Sequence, residues 1–180
     1  MKRGLLHIRN AEAVLPALIA IVGHSGAGKT TLIERLLPRL IASKIRVATI
    51  KHTHHEIALD TVGKDSWRHR QAGAEASLLL TASGLCLVAD AIDSYEPEQL
   101  AQRYFSDMDL VLAEGCSGAS CKKIEVLRAA CNGVARCTVE DGLIARVTDV
   151  ANSTMRLPQF TLNDISGIAQ FIADSLSRKE

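Results

Sequence analysis

The stretch that decides the reading of this chain is Gly23-His24-Ser25-Gly26-Ala27-Gly28-Lys29-Thr30. It satisfies every fixed position of the phosphate-binding loop pattern Gly-x-x-x-x-Gly-Lys-Ser/Thr. Its flanks agree with that reading. Ala17 to Val22 is a short apolar run suited to a buried strand, and Thr31 to Ser43 carries Leu32, Ile33, Leu36, Leu37, Leu40 and Ile41 at helical spacing. A loop between such a strand and such a helix can turn successive main-chain N–H groups around an anion. Glycines at 23, 26 and 28 allow the backbone angles this needs. A helix opening near Lys29 adds its own unpaired N–H groups and the positive end of its dipole. Lys29 is then placed to reach the β- and γ-phosphates, and the Thr30 hydroxyl to ligate Mg²⁺. The competing reading is a glycine turn that caps an ordinary helix.

The bulk properties set bounds on this. A chain of 180 residues fits a single domain with a substantial core. An apolar content of 47% and a formal charge of +1 exclude a disordered chain and a strongly basic nucleic-acid binder. Lys2 and Arg3 precede an apolar segment, Ala13 to Val22, but Pro16 interrupts it and Glu12 stands just before it, and no small-residue cleavage site follows. No apolar run is long enough to cross a bilayer, so a cytoplasmic protein without a membrane partner is expected. The cysteines, at 86, 116, 121, 131 and 137, are odd in number and form no Cys-x-x-Cys pair, which points to reduced thiols.

Along the chain, the first ten residues read as a loose lead-in, and Pro38 is expected to perturb the first helix by removing an N–H donor. Arg46 to Lys51 reads as a strand. Asp65 or Ser66 is placed to cap a short helix ending near Gly73. Ala76 to Thr81 and Leu85 to Ala89, separated by Ala-Ser-Gly, suggest a hairpin. Pro97 opens a helix running to about Ser106. Leu110 to Ala113, Lys123 to Leu127, Leu143 to Thr148 and Gln159 to Leu162 read as strands, and Asn163 or Asp164 caps a last helix. The alternation predicts an α/β fold of the P-loop NTPase type: a mostly parallel twisted sheet, helices on both faces, a β-hairpin insertion, and ligands beyond the carboxyl ends of the strands.

Several side chains are candidates for chemistry. The strand from Leu110 ends in Glu114, which resembles a Walker B acid, holding Mg²⁺ or orienting a water. Asp65 is a second candidate for the metal, with Lys64 or Lys51 adding charge, against a plain role in the first turn of a helix. The cluster Lys51-His52-Thr53-His54-His55 can serve a phosphate site through hydrogen bonds. With Cys116 and Cys121 it can instead form a soft-metal site, although the spacings are not diagnostic. Arg68, His69 and Arg70 read as a solvated face or as contacts to an acidic partner. The guanine-reading Asn-Lys-x-Asp is absent. Asp149, after a strand, is the nearest substitute, with a turn role as the alternative.

Together, residues 23–31, Ile50-Lys51-His52-Thr53-His54-His55, Gly63-Lys64-Asp65-Ser66, Ala72-Gly73-Ala74, Leu112-Ala113-Glu114-Gly115 and Lys122-Lys123-Ile124-Glu125-Val126 resemble the MobB family, the molybdopterin-guanine dinucleotide biosynthesis adapter proteins. The resemblance implies a GTP-binding, weakly GTP-hydrolysing homodimer that assists a molybdenum cofactor guanylyltransferase, with molybdopterin as a further contact. Carried over by position, the loop from Gly23 through Ser25, Gly26, Ala27, Gly28, Lys29, Thr30 and Thr31 binds phosphate and Mg²⁺. Glu114 serves the metal, and Asp65 lies at the active face with Lys51 and His52. The family usually has an aromatic residue and then lysine after Glu-Gly, where this chain has Cys116-Ser117-Gly118-Ala119-Ser120-Cys121. A metal-insertion GTPase using the His and Cys residues, and a small-molecule P-loop kinase, are the other functions the residues allow.

Overall fold

The run Ala17–Val22 becomes β1, the strand on which the sheet is built. The computed structural model describes residues 15–53, 55–90, 96–131, 133–150 and 156–177, so the lead-in expected over the first ten residues lies outside them. After β1 come α1 (Lys29–Ala42), β2 (Val47–Lys51), α2 (Asp65–Gln71) and the hairpin strands β3 (Ala76–Thr81) and β4 (Gly84–Ala89). Then follow α3 (Pro97–Phe105), β5 (Leu110–Glu114), β6 (Lys122–Leu127), β7 (Leu143–Thr148), β8 (Gln159–Phe160) and α4 (Ile165–Ser177). The chain divides by packing into two compact units, residues 1–52 with 96–180, and residues 53–95.

The first unit holds a six-stranded sheet in the order β2-β5-β1-β6-β7-β8, with every pairing parallel. The strands read as nearly continuous apolar runs because both faces are covered. In β1, Ile19 and Ile21 join the cluster formed with Leu32, Ile33, Leu36 and Leu40 of α1 and with Ile165, Ile168 and Ile172 of α4. Ala20 and Val22 point to the other side and pack with Ala113, Leu143 and Cys137. Helix α3 lies against β1 and β5. Its start at Pro97, with Glu96 as the preceding cap residue, puts proline where its missing N–H costs nothing. Helix α1 runs continuously through Pro38, so the disturbance stays local and leaves the carbonyl of Glu34 without its usual donor. At α4, Asp164 acts as the cap, accepting from Gly167 N at 2.9 Å.

In the second unit, α2 begins one residue earlier than its capping signal suggested. Lys64 occupies the cap position without a side-chain bond, and Ser66 Oγ donates to Asp60 Oδ1 at 3.0 Å instead. The strands β3 and β4 pair antiparallel with Leu78 opposite Leu87 and Leu80 opposite Leu85, as the hairpin reading expected.

Strand β6 carries a buried polar device. Glu125 is 0% exposed and Lys123 2%. The Glu125 carboxylate accepts from Arg146 Nε at 2.9 Å, pairs with its terminal nitrogen at 2.7 Å, and accepts from Arg136 N at 2.5 Å. The Lys123 ammonium donates to the carbonyls of Ala119 and Asp141, at 2.5 Å each. Removing one partner of such a pair strands the other in a dry interior. Glu125→Ala is expected to lose about 3–5 kcal/mol of stability in urea unfolding, with the buried Arg146 guanidinium deprived of its carboxylate. A loss under about 1 kcal/mol would contradict the buried pairing.

Candidate functional site

At the end of β1 the chain turns at Gly23, whose φ is 143°. A Cβ there would lie 2.3 Å from Val126 O, so the loop leaves the sheet flush against the backbone of β6 and only glycine fits. The turn closes with Ala27 N donating to His24 O at 3.2 Å, and Gly28, at φ 95°, is the cap residue of α1. Lys29 Nζ donates to Gly23 O at 3.0 Å and to His24 O at 2.8 Å. The ammonium thus closes the ring of the loop. Burial draws the Lys29 pKa below its ordinary value, the Glu114 carboxylate opposes that, and the charges of Arg136 and Lys51 reinforce it.

Glu114 arrives by register. Ile21 of β1 is opposite Glu114, and so is Lys51 of β2. The Thr30 hydroxyl donates to Glu114 Oε1 at 2.7 Å, and Lys51 Nζ lies 3.4 Å from the same oxygen. His52 N donates to Glu114 O at 3.0 Å, and a Cβ on Gly115 would come within 3.0 Å of His52 O. Strands β5 and β2 therefore bring a carboxylate and an ammonium to the Thr30 hydroxyl, which opens α1 after the loop. Ser25, Gly26, Thr30 and Thr31 are exposed there, while Ala27 is buried beneath them.

The remaining candidates fall elsewhere. Asp149 follows β7, and its carboxylate accepts from Ala129 N at 2.8 Å and from Arg128 Nε at 3.5 Å. The Ala129 N–H, then the Arg128 guanidinium, hold its pKa below the usual carboxylate value against desolvation. Asp65 belongs to the second unit, where it opens α2, is 89% exposed and faces Arg68 at 3.9 Å. His54 lies outside the described residues, and His55 N donates to Thr53 Oγ1 at 3.2 Å. Cys116 and Cys121 pack half-buried against the cluster around Ala20 and Val22. Among the described residues, no group of three or more His, Cys, Asp or Glu is arranged to hold a metal ion. The soft-metal arrangement has no geometric support among them.

Sequence reasoning missed the segment after β6. Cys131 Sγ lies 4.0 Å from where a Cβ on Gly26 would sit, and the His24 ring Nε2 donates to Val134 O at 3.2 Å. Cys131 and Val134 therefore lie against the loop. The only signal in the sequence was His24 itself, a hydrogen-bonding side chain at a position the motif leaves open.

The chain is similar to known proteins. The family model described as molybdopterin guanine dinucleotide synthesis protein B matches residues 18–149. The chain belongs to the MobB family. A molybdopterin-guanine dinucleotide biosynthesis adapter protein of Escherichia coli is 33% identical over 166 residues, covering 90% of this chain and 94% of that protein. The adapter of Haemophilus influenzae is 43% identical over 99 residues, and that match spans 54% of this chain and 56% of the relative. A crystal structure of molybdopterin-guanine biosynthesis protein B superposes with a TM-score of 0.71 at 28% identity, covering 89% of this chain and 99% of that one. The Bacillus subtilis MobB structure, at 24% identity, shares the fold with a TM-score of 0.70. The P-loop α/β fold and the placing of this chain among MobB proteins, expected from its motifs, both hold.

Two thiols of the loop between β5 and β6 are set by burial. Burial, then Cys121, then Glu98 and Glu96 push the Cys116 thiol up to about 11. Cys121 is also raised, by burial and then Glu98. At pH 8 both stay protonated and slow to react. Mass-spectrometric alkylation with iodoacetamide is expected to label exposed Cys86 first and Cys116 and Cys121 late. Equal labelling of all three would contradict it.

Proposed function

We propose that this chain is a cytoplasmic GTP-binding adapter that assists a guanylyltransferase attaching GMP to molybdopterin. The observation that carries the reading is the Thr30 hydroxyl bonded at 2.7 Å to Glu114 Oε1 at the mouth of a complete phosphate loop. Adjacent hydroxyl and carboxylate oxygens are a donor set suited to Mg²⁺, which takes few protein ligands and shares the rest with phosphates and water. Thr30 and Glu114 would hold it. Bound there, Mg²⁺ would supply positive charge to offset that of the triphosphate. Lys29 would exchange its bonds to Gly23 O and His24 O for phosphate oxygens, and the main-chain N–H groups of Ser25, Gly26 and residues 28–31 would take up the rest of the negative charge. Lys51 holds the Glu114 carboxylate toward Thr30. Asp65 is proposed as a metal-serving residue by family position alone.

Calorimetry with Mg²⁺ is expected to show GTP bound well above ATP, slow turnover, and retention by the transferase. Lys29→Ala should abolish measurable binding, since a charged hydrogen bond to phosphate carries about 1.5–3 kcal/mol and this residue makes the central one. Comparable affinity for ATP and GTP would count against the reading.

Guanine choice is assigned to Asp149. Its oxygens each accept one bond within the protein and keep a lone pair for the N1–H and amino group that guanine presents. Asp149→Asn keeps an acceptor for Ala129 N but puts a donor on one side. It should lower GTP affinity and raise xanthosine triphosphate affinity. An unchanged preference would reduce Asp149 to a tie between the ends of β6 and β7.

The homodimer is assigned to the hairpin. Leu78, Leu80, Leu85 and Leu87 share one face of β3–β4 by register and are 55%, 73%, 38% and 41% exposed. A two-stranded ribbon with an apolar face and free edges is marginal alone and self-complementary under a two-fold axis. Leu80→Asp should shift the mass in light scattering from dimer to monomer. A dimer that survives both Leu80→Asp and Leu87→Asp would place the interface elsewhere.

A further inference from the structure

Strand β1 lies between β5 and β6, so two segments flank the phosphate loop. From the β5 side comes Glu114. From the β6 side comes the return of the chain after Leu127, which meets the loop at two points and is tied to β6 at a third. Cys131 Sγ sits 4.0 Å from the Cβ position of Gly26, the His24 ring donates to Val134 O at 3.2 Å, and Arg136 N donates to the buried Glu125 carboxylate at 2.5 Å. Glu125 is itself held by Arg146 from β7, so the backbone at Arg136 is anchored to the core.

The Arg136 side chain is exposed, and its guanidinium makes no hydrogen bond or ion pair with another described residue. The charges that act on the Lys29 ammonium include those of Glu114, Arg136 and Lys51, while the Glu125 carboxylate beside the Arg136 backbone is already paired with Arg146. Adding a third cation there is unfavourable without an anion and favourable with one. A triphosphate supplies that anion. A guanidinium also matches phosphate oxygens with paired N–H donors, where a lysine offers a point charge.

We propose that Arg136 is a second cation of the nucleotide site, reaching the phosphate chain from the β6 flank of the loop opposite Glu114 and held there by the clamp of its own backbone N–H on Glu125. The inference rests on the nucleotide reading given above. Its ligand is the phosphate chain, so it contributes affinity whatever base is attached. The depressed Lys29 ammonium, to which the Arg136 charge contributes, is consistent with the proximity.

The test uses the full chain with a fluorescent GTP analogue and Mg²⁺, displaced by GTP or by inorganic tripolyphosphate. Arg136→Ala should weaken both competitors by about ten- to a hundredfold, the range of one charge-assisted hydrogen-bond pair. Arg136→Lys should recover part of that, and the melting temperature without nucleotide should stay at the wild-type value because the side chain is exposed. Unchanged affinity in Arg136→Ala overturns the proposal, and so does a loss seen for GTP with none for tripolyphosphate, which would make Arg136 a contact to base or sugar. Wild-type protein that binds neither the analogue nor tripolyphosphate overturns the nucleotide reading itself and this inference with it.

Discussion

The constraint on which the rest depends is the close passage of two backbones at the end of β1. Gly23 runs so near Val126 O that no side chain fits between them. Because β1 is held parallel on both sides, with Ile21 opposite Glu114 and Val22 opposite Glu125, that passage fixes three things at once. The loop starts where β6 is still paired, the carboxylate of β5 ends level with it, and the chain leaving β6 has to cross the loop. A site of this kind is a property of register. Slipping one pairing by a residue would turn Glu114 to the opposite face of the sheet.

The buried polar groups of β6 serve the same end. A strand in the middle of a parallel sheet is expected to be apolar, yet Lys123 and Glu125 are buried beside Ile124 and Val126. Both bond to loops, and Glu125 is held in addition by Arg146 of β7. Lys123 gathers the carbonyls of Ala119 and Asp141, and Glu125 takes the N–H of Arg136. Hydrophobic contact alone would hold these loops near the core without setting their orientation. A satisfied buried charge sets it, because any other arrangement leaves the charge without partners. The two faces of β6 divide the labour: Ile124 and Val126 pack the core, and Lys123 and Glu125 position the loops.

How much of this was legible in the sequence follows from which interactions are local. The loop, its strand and its helix are consecutive, and their pattern is carried by glycine, lysine and apolar spacing, so Gly23 to Ala42 could be read directly. Glu114 was legible because a strand-end acid leaves a mark of its own, although its bond to Thr30 spans 84 positions. The segment over the loop was not legible. Its fastening uses a cysteine, a histidine ring and two main-chain groups, and none of these has a spacing that distinguishes it from an ordinary loop. Asp149 shows the converse. Its position after β7 suggested a base contact, and the structure adds a bond to Ala129 N that 20 residues of separation concealed. The capping signal at Asp65 and Ser66 misplaced the start of α2 by one residue because Ser66 found a partner in Asp60 instead of the helix backbone.

The same geometry bears on why such a site would hold a nucleotide better than it cleaves one. Glu114 Oε1 accepts from Thr30 and lies beside Lys51. A general base has to meet a water with an uncommitted lone pair and take its proton as the bond forms. Glu114 Oε1, which meets both a hydroxyl and an ammonium, is better arranged as a fixed negative post for a cation than as a proton acceptor. On the reading proposed above, Lys29, the N–H groups of the loop and the Arg136 guanidinium would act on ground-state phosphate charge, and interactions that bind ground and transition states alike tighten binding without raising turnover. An adapter that presents its nucleotide to another enzyme needs that balance. A fast hydrolase needs the opposite one, with groups aimed at charge that appears only as the bond breaks.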